Sequence, residues 1–361
     1  MMVDIVDDAA RIDWTSDESH VLLNPRMPSD EAVRLQSLVI DLPAHVWLAT
    51  SGTTGTLKLA ALSKKALLTS AAAVNHHLLS DERDVWCCVL PAFHVGGLGI
   101  VARAFLSRAR VLQMQWNARA FASNREMTLA SLVPAQVSDL VELRLTAPSN
   151  LRAIVVGGGA LSDALYANAR NLGWPLLPSY GMTEACSQIA TATTNSPALK
   201  LLDHMEARSE ADGRLAFRSA SLLTAYATEH GLIDPKTGDG WLVTEDLGSI
   251  DGRTLQVEGR RGDFVKIGGE SVDLARLDAI LASIAGSYAA VVAVPEPRLG
   301  RIIHLAIEQS VDADHVLVAF NVRVHPFERA RAVHRVKEIP RSPLGKLLRI
   351  KLLETIQAAE E

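Results

Sequence analysis

Two kinds of hydrophobic pattern alternate along the first part of the chain. Short runs rich in apolar and β-branched residues are followed by longer segments whose apolar positions recur with the helical period, which is typical of α/β proteins. The pattern predicts strands over residues 46–49, 85–90, 110–114, 153–156 and 176–177, and a helix over 64–79. Each strand ends in glycine, proline or a polar break, where α/β proteins commonly place their ligands.

The pattern changes after about Asp203. Hairpin-like pieces follow, with turns at 229–231, 237–240 and 251–252. A last segment has strands predicted at 289–294 and 302–307, helices at 274–284 and 315–322, and a basic tail over 329–351. We therefore predict two domains of unequal size, residues 1–262 and residues 263–361.

Composition narrows the class of protein. A length of 361 residues favours about two domains, and a hydrophobic content of 48% with 21% charged residues excludes extensive disorder. The net charge of −5, with no basic run long enough to act as an electrostatic footprint, argues against a nucleic-acid partner. The acidic start is unlike a signal peptide, and no apolar run reaches the roughly 18 residues of a membrane span. The three cysteines are an odd number without a Cys-x-x-Cys pair, so we expect a soluble protein of the reducing cytoplasm.

The most informative local feature is the run Thr50-Ser51-Gly52-Thr53-Thr54-Gly55-Thr56-Leu57-Lys58. Between a predicted strand and a predicted helix, it offers backbone N–H groups, hydroxyls and one cation to an oligophosphate. A plain Ser/Thr-rich surface turn is the alternative explanation. A Walker loop is disfavoured because Leu57 precedes Lys58 and Leu59 follows it.

This run resembles the Thr-Ser-Gly-Thr-Thr-Gly-x-Pro-Lys-Gly signature of the adenylate-forming superfamily, which includes acyl-CoA synthetases, luciferases and peptide-synthetase adenylation domains. Further motifs of that superfamily follow in the family order at residues 90–97, 180–184, 240–248 with 259–263, and 340–349. Within the superfamily, residues 90–99 and 179–191 are most similar to o-succinylbenzoate-CoA ligases of menaquinone and phylloquinone biosynthesis. The resemblance covers residues from about 45 to 350.

The resemblance implies both a fold and a reaction. The fold is a large multilayer α/β AMP-binding domain over 1–262, shortened at its start, and a small mobile α+β lid over 263–361. The reaction is that of an ATP-dependent acid–thiol ligase. A carboxylate, here o-succinylbenzoate, is adenylated with release of pyrophosphate and is then transferred to coenzyme A. ATP, Mg²⁺ and coenzyme A are the expected cofactors and small-molecule partners of a monomer or homo-oligomer.

Individual residues take their expected roles in ATP binding from the same resemblance. The implied nucleotide site comprises Thr50, Ser51, Gly52, Thr53, Thr54, Gly55 and Lys58 around the phosphates, Gly158, Gly159 and Ala160 close to the nucleotide, Ser179, Tyr180, Gly181 and Met182 along the adenine side, and Asp246 and Arg260 at the ribose. Thr183 is expected to donate to the α-phosphate and Glu184 to ligate Mg²⁺. A lone Glu is more often a solvated loop carboxylate, but the surrounding motif favours the metal ligand.

The implied catalytic set is Lys346, Thr183, Glu184 and His94. Lys346 would bridge the substrate carboxylate and the α-phosphate during adenylation. Asp263 resembles the hinge on which the lid swings between the two half-reactions. Gly268 and Gly269 match the segment that lines the pantetheine channel in the second half-reaction.

The acyl and thiol side of the site is expected to involve His94, Gly97, Ser187 and Gln188, with Arg103 as a further contact for a second carboxylate or ketone. For His94, a satisfied core histidine is the simpler alternative. For the whole chain, the alternatives are a ligase or adenylating enzyme for another aryl or fatty acid, and an inactive nucleotide-binding relative.

Three positions depart from the superfamily pattern. Leu57 and Leu59 replace the proline and the glycine of the phosphate loop, and Glu245 replaces the glycine before Asp246. The hydroxyls, the glycines and Lys58 are kept, so we expect phosphate binding with altered loop mobility.

Overall fold

A computed structural model describes residues 4–5, 11–27, 29–51, 57–159, 161–260, 264–267, 270–296, 299–342 and 345–358. The strands are β1 Asp4–Ile5, β2 His20–Leu22, β3 His45–Ser51, β4 Leu57–Ser63, β5 Val85–Cys88, β6 Arg110–Gln113, β7 Leu129–Leu132, β8 Ala153–Val156, β9 Leu176–Met182, β10 Ser187–Thr193, β11 Ser196–Leu201, β12 Glu206–Ser209, β13 Arg214–Arg218, β14 Ala225–Thr228, β15 Gly231–Ile233, β16 Leu242–Asp251, β17 Thr254–Arg260, β18 Phe264–Ile267, β19 Glu270–Asp273, β20 Ala289–Glu296, β21 Gly300–Glu308 and β22 Ala330–Val336. The helices are α1 Ser29–Ser37, α2 Lys64–Leu78, α3 Val95–Ser107, α4 Ala118–Ser123, α5 Pro134–Glu142, α6 Asp163–Asn171, α7 Leu274–Ala285, α8 Ala313–Asn321 and α9 Arg349–Gln357.

The chain divides into two compact units. The first comprises residues 1–244 and 249–256, and the second comprises residues 245–248 and 257–361. The division therefore passes through β16 and β17.

A six-stranded sheet in the first unit has the order β1-β2-β3-β4-β14-β15. Strands β3 and β4 are antiparallel, with Thr50 opposite Lys58. One face of this sheet is buried: Trp47 and Leu59 are fully buried there in a cluster with Leu35 of α1. Leu59, which departs from the superfamily glycine, is thus a core residue of β4.

An eleven-stranded sheet has the order β12-β13-β16-β17-β11-β10-β9-β8-β7-β5-β6. Strands β5 to β9 are parallel to their neighbours, whereas β10 runs antiparallel to β9. Strands β7 and β8 are buried along their whole length, as expected for a parallel sheet covered on both faces. Trp86 and Trp174 are fully buried in the two clusters that pack against it.

Helix starts in the first unit follow from capping side chains. Ser63 accepts from the N–H of Ala66 at the start of α2, and Ser162 accepts from the N–H of Leu165 at the start of α6. Each bond satisfies one amide that a helix N-terminus leaves without an intrahelical partner.

The second unit contains a β18–β19 hairpin and the three-stranded sheet β20-β21-β22. Helices α7 and α8 pack on the cluster that contains Leu277, Ile303 and Phe320, and α9 packs on a second cluster through Leu352 and Ile356. The region that the sequence indicates as a basic tail therefore folds as strand β22 and helix α9. The region buries the apolar residue Val336, which lies among the basic residues, and Leu352 and Ile356, which follow the last basic residue.

The predicted strands and helices are all present, with small differences at their ends. The sequence pattern missed β4, because it treated residues 50–58 as a loop leading directly to α2. It also missed β10 and the extension of β9 to Met182, because glycine and hydroxyl residues in both strands weaken the β pattern. Among the described residues, no helix combines the length and apolar character needed to cross a bilayer.

Candidate active site

Several predicted site residues lie at the carboxyl ends of neighbouring parallel strands. Gly157 to Gly159 follow β8, and Ser179 to Met182 form the last part of β9. Gly158 has φ +79°, and a Cβ built on Gly157 would lie 3.7 Å from the carbonyl oxygen of Ser179. The two segments are therefore adjacent, and the missing side chains leave backbone accessible at the sheet edge.

The predicted phosphate loop connects two antiparallel strands. Thr50 lies near the end of β3 and pairs with Lys58 of β4. Gly52, Thr53, Thr54 and Gly55 lie outside the described residues, as does Ala160. The hairpin brings the two ends of the loop, one hydroxyl and one ammonium, side by side.

Glu184 contacts a tyrosine that the sequence motifs did not indicate. The Tyr226 hydroxyl donates to Glu184 Oε1 at 2.6 Å, and the Glu184 carbonyl accepts from the N–H of Leu223 at 2.7 Å. Lys58 Nζ lies 5.5 Å from the centre of the Tyr226 ring, within range of a cation–π interaction. Tyr226 on β14 therefore joins the predicted metal ligand to the predicted phosphate-binding cation.

Backbone strain marks the turn from β9 into β10. Cys186 has φ 56° and Ser187 has φ 121°, which are unfavourable values for residues with a side chain. A Cβ on Gly181 would lie 1.9 Å from the carbonyl oxygen of Ser187, so only glycine permits the close approach of the two strands. The close approach of the two strands determines the place of Ser187.

That place is beside Arg103 of α3, which is 1% exposed. Arg103 Nη2 donates to Ser187 Oγ at 3.0 Å and Nη1 reaches Ser131 Oγ at 3.5 Å, while its Nε has no hydrogen-bond partner among the described residues. The guanidinium also lies 5.4 Å from the ring centre of Trp86. No described carboxylate pairs with Arg103, and burial lowers its pKa to about 10.

Gln188 presents an oriented amide. Its Oε1 accepts from the Thr191 hydroxyl at 2.5 Å, and its buried Nε2 has no partner among the described residues. In this orientation of the amide, the group without a described partner is an N–H donor.

His94 and Gly97 lie at the start of α3. His94 is the N-cap residue, its Nε2 is buried without a described partner, and burial lowers its pKa. The imidazole is therefore held neutral next to the Phe93 ring, at 4.7 Å between ring centres. A Cβ on Gly97 would lie 2.3 Å from the carbonyl oxygen of Pro91, so its packing against that carbonyl requires glycine.

The adenine-side residues meet an aromatic neighbour. The Tyr180 ring lies 5.8 Å from that of Phe217, and Tyr180 is half-buried. Met182 and Thr183 follow it at the junction of β9 with a short 3₁₀ turn, Thr183–Ala185. The Tyr-Gly-Met-Thr-Glu motif thus spans a strand end and the turn that presents Glu184.

The remaining predicted residues belong to the second unit. Asp246 is on β16, Arg260 ends β17, and Lys346 is exposed in the segment before α9. Asp263, Gly268 and Gly269 lie outside the described residues.

The donor set fits a magnesium ion that arrives with a nucleotide. No cluster of three or more metal-ligating side chains occurs in the part of the chain that the structure describes. One oriented carboxylate, Glu184, is present, and Mg²⁺ is commonly bound by one or two carboxylates together with substrate phosphates.

Comparison with known proteins first defines the class. The family model described as AMP-binding enzyme matches residues 42–216, which include the phosphate loop, Glu184 and Arg103. Together with the folds of solved relatives, this match confirms the resemblance to adenylate-forming enzymes and the mixed α/β fold class. Residues 42–216 thus match the family of AMP-binding enzymes, and the chain is similar in fold to adenylate-forming enzymes along most of its length.

The more specific resemblance is also confirmed. The 2-succinylbenzoate–CoA ligase of Bacillus licheniformis is 28% identical over 341 residues, which are 88% of this chain and 71% of the relative. That of Bacillus subtilis is 28% identical over 326 residues, 84% of this chain and 67% of the relative. The structure of the o-succinylbenzoate CoA synthetase of Bacillus subtilis with its acyl-adenylate intermediate has a TM-score of 0.76 and 27% identity, covering 85% of this chain and 68% of that one.

Proposed function

We propose that this protein is an ATP-dependent o-succinylbenzoate-CoA ligase of menaquinone biosynthesis. It joins a carboxylate of o-succinylbenzoate to AMP, releasing pyrophosphate, and then transfers the acyl group to the thiol of coenzyme A with release of AMP. The ligases of the two Bacillus species named above, similar along most of this chain, support this substrate.

The observation that carries the substrate assignment is the buried Arg103. A guanidinium that is 1% exposed and without a described carboxylate partner favours an anionic ligand, because an unpaired buried charge is costly. The o-succinylbenzoate molecule has two carboxylates, only one of which is activated. We infer that Arg103 recognises the second carboxylate together with the Ser187 hydroxyl, which accepts a hydrogen bond from Arg103 Nη2.

The first half-reaction needs positive charge and aligned donors more than it needs a protein nucleophile. The attacking carboxylate and the α-phosphate are both anionic, so stabilisation of charge in the transition state dominates. Thr50, Lys58 and the rest of the loop would hold the β- and γ-phosphates, and Thr183 would donate to the α-phosphate. Lys346 would neutralise the carboxylate and the α-phosphate as they approach.

A magnesium ion, when bound, supplies positive charge to the phosphate oxygens. Glu184 would hold it, and Tyr226 orients that carboxylate by occupying Oε1. Tyr180 would bind the adenine, while Asp246 and Arg260 would bind the ribose.

The second half-reaction would use a different set of residues. His94 is a neutral imidazole because burial lowers its pKa, so it can border a thiol or acyl group without adding charge. Gly97, Gly268 and Gly269 are proposed to line the acyl and pantetheine path. We propose residues 263–361 as the lid, with its hinge at Asp263, and the cytoplasm as the place of action.

The proposal is tested with a panel of acids. We expect o-succinylbenzoate to release pyrophosphate and form a coenzyme A thioester faster than benzoate, 4-oxo-4-phenylbutanoate or a fatty acid. Arg103→Met should raise the KM for o-succinylbenzoate about a hundredfold, as for a lost charge-assisted hydrogen bond of about 3 kcal/mol, and change turnover of the monocarboxylates far less.

Other outcomes separate the alternatives. Turnover of another acid with none of o-succinylbenzoate would assign the chain to a different ligase. Absence of pyrophosphate release with every acid, in a protein that still binds ATP, would indicate an inactive nucleotide-binding relative.

A further inference from the structure

The segment that carries Lys346 is a closed loop of the second unit. Its ends meet where the N–H of Leu348 donates to the Pro340 carbonyl at 2.9 Å. Inside it, the N–H of Ser342 donates to the Lys346 carbonyl at 2.7 Å, and the N–H of Lys346 donates to Ser342 Oγ at 3.1 Å. Both the backbone carbonyl and the backbone amide of Lys346 are therefore fixed relative to Ser342.

Among the described residues of this loop, hydrophobic packing is limited. Leu347 is partly buried against the cluster of Val336, Leu352 and Ile356, while Gly345 and Lys346 are exposed. Gly345 has φ +80°, a conformation that glycine adopts without steric strain. Glycine has no side chain that could anchor the loop. Polar contacts add to this packing.

Arg341 supplies the first of these contacts. Its Nη1 donates to the Gly345 carbonyl at 3.2 Å, and its Nη2 donates to the Ser287 carbonyl at 3.1 Å. One guanidinium thus links the residue before Lys346 to the turn between α7 and β20.

Arg349 supplies the second, three residues after Lys346. Its Nη1 donates to the Val291 carbonyl of β20 at 2.9 Å, and its Nη2 donates to Asp278 of α7. Asp278 also accepts from the N–H of Val291 at 2.7 Å. Arg349 and Asp278 therefore both bind Val291 of β20, Arg349 through the Val291 carbonyl and Asp278 through the Val291 amide.

We propose that Arg341 and Arg349 are positioning residues, which hold the Lys346 loop against α7 and β20 so that the Lys346 ammonium reaches the reacting carboxylate and α-phosphate. The inference rests on the proposed function, because it needs Lys346 to act in adenylation. An extended chain gains about 3.4 Å per residue, so Arg349 lies within about 10 Å of Lys346 along the backbone. Arg341 is five residues away, but it donates to the carbonyl of Gly345, the residue next to Lys346. Each anchor uses two N–H groups of a rigid planar fork, which a lysine cannot reproduce.

The test separates the two half-reactions in the full chain. Adenylation is followed by pyrophosphate release from o-succinylbenzoate without coenzyme A, and thioester formation is followed from supplied o-succinylbenzoyl adenylate. Arg349→Lys and Arg341→Lys should each lower kcat of adenylation about tenfold or more, because misplacement by about 1 Å can cost a hundredfold. The KM for ATP, thioester formation and the thermal unfolding temperature should stay close to those of the wild type.

Three further variants make the result specific. Lys346→Ala should abolish adenylation and leave thioester formation intact. Arg335→Lys is a matched control, because Arg335 also donates to two carbonyls of the second unit, those of Val311 and Gln309, and touches no part of the Lys346 loop in these bonds. Its adenylation rate should equal that of the wild type. Asp278→Asn combined with Arg349→Lys should be no worse than the Arg349 variant alone, since the two side chains act as one anchor.

The possible results separate the role of the two arginines from the role of Lys346 in adenylation. Full adenylation in Lys346→Ala would overturn both the role of Lys346 and the inference. Loss of adenylation in Lys346→Ala, with wild-type rates in both arginine variants, would overturn the inference alone. Equal losses in both half-reactions, with a lower unfolding temperature, would show that the arginines only stabilise the unit and would likewise overturn it.

Discussion

At the scale of the residue, one hydrogen bond orients the carboxylate that is proposed to hold magnesium. Glu184 is one carboxylate on a short 3₁₀ turn, and without an external contact its side chain would sample several rotamers. The Tyr226 hydroxyl removes that freedom at a distance of 2.6 Å. The same ring lies below Lys58, so one side chain supports both charges that would contact the triphosphate.

Tyr226→Phe keeps the ring and removes this hydrogen bond. We expect the affinity for magnesium with a non-hydrolysable ATP analogue, measured by calorimetry, to fall about tenfold, as for a lost hydrogen bond to a charged group of about 1.5 kcal/mol. Thioester formation from supplied acyl-adenylate should not change, because that step does not use the triphosphate.

Tyr166→Phe is the control for this prediction. Tyr166 is a half-buried tyrosine of α6 that packs on the core without a described side-chain hydrogen bond. An equal loss of magnesium affinity in both variants, or none in Tyr226→Phe, would contradict the role given to Tyr226.

At the scale of the element, the parallel strands have chemically different ends. Their carboxyl ends carry Gly157–Gly159 and the Tyr180–Glu184 motif. Asp84, just before β5 at the opposite end, accepts from Arg152 Nε at 2.9 Å and from the Thr128 hydroxyl at 2.7 Å. Burial by itself raises the pKa of Asp84, but these hydrogen bonds outweigh it and the pKa is lowered.

Asp84→Asn should destabilise the first unit by about 2 kcal/mol, because it leaves Arg152 without its charged partner. The stabilisation from Asp84 is present above the usual carboxyl pKa of 3.8 and is lost as pH falls through the lowered value of the folded state. All six tryptophans precede residue 245, so their fluorescence during chemical denaturation reports this unit alone.

Asp81→Asn is the matched control for the Asp84 variant. The Asp81 side chain pairs only with the exposed Arg83 among its described partners, and exposed pairs contribute little. A similar denaturation midpoint in the two variants would contradict the importance of the strand-end network.

At the scale of the whole molecule, pH affects the stability of the fold through a histidine whose ring nitrogens are buried. Both ring nitrogens of His204 are buried without a described hydrogen-bond partner, and burial lowers its pKa to about 4 from the usual 6.5. In the unfolded chain, His204 is protonated below about pH 6.5, whereas in the folded chain it is protonated only below about pH 4. The stabilisation is therefore complete above pH 6.5 and is lost as pH falls toward 4.

His204→Leu removes this titration. Between pH 7.5 and 4.5 we expect the wild type to lose about 2 kcal/mol more unfolding free energy than the variant does, measured by denaturation with tryptophan fluorescence. Parallel pH dependences of the two proteins would show that His204 is not held neutral by burial.

Much of the fold was predictable from local pattern. The buried parallel strands β7 and β8 are short apolar stretches, of which only β8 had been expected, and helix α2 starts at the capping residue Ser63. Strand β4 was not predicted, because Leu57–Ser63 lies between a glycine-rich loop and a helical pattern, and only its pairing with β3 and β14 makes it a strand.

For the site, the motifs alone indicated Lys58, Glu184 and Lys346, because the superfamily keeps those residue types at fixed spacings along the chain. The comparisons confirmed the class of enzyme that these motifs imply. The individual roles of the site residues remain predictions that the experiments above address.

The sequence by itself determined the class of enzyme and the order of its chemical groups, since motif spacing and hydrophobic period are local properties. Only the tertiary structure decided which distant residues support those groups. Tyr226 lies 42 residues from Glu184, and Asp278 lies 71 residues from Arg349. Such pairs arise when strands and helices that are far apart in sequence pack together, and no pattern within one segment encodes which of its polar side chains will find a partner there.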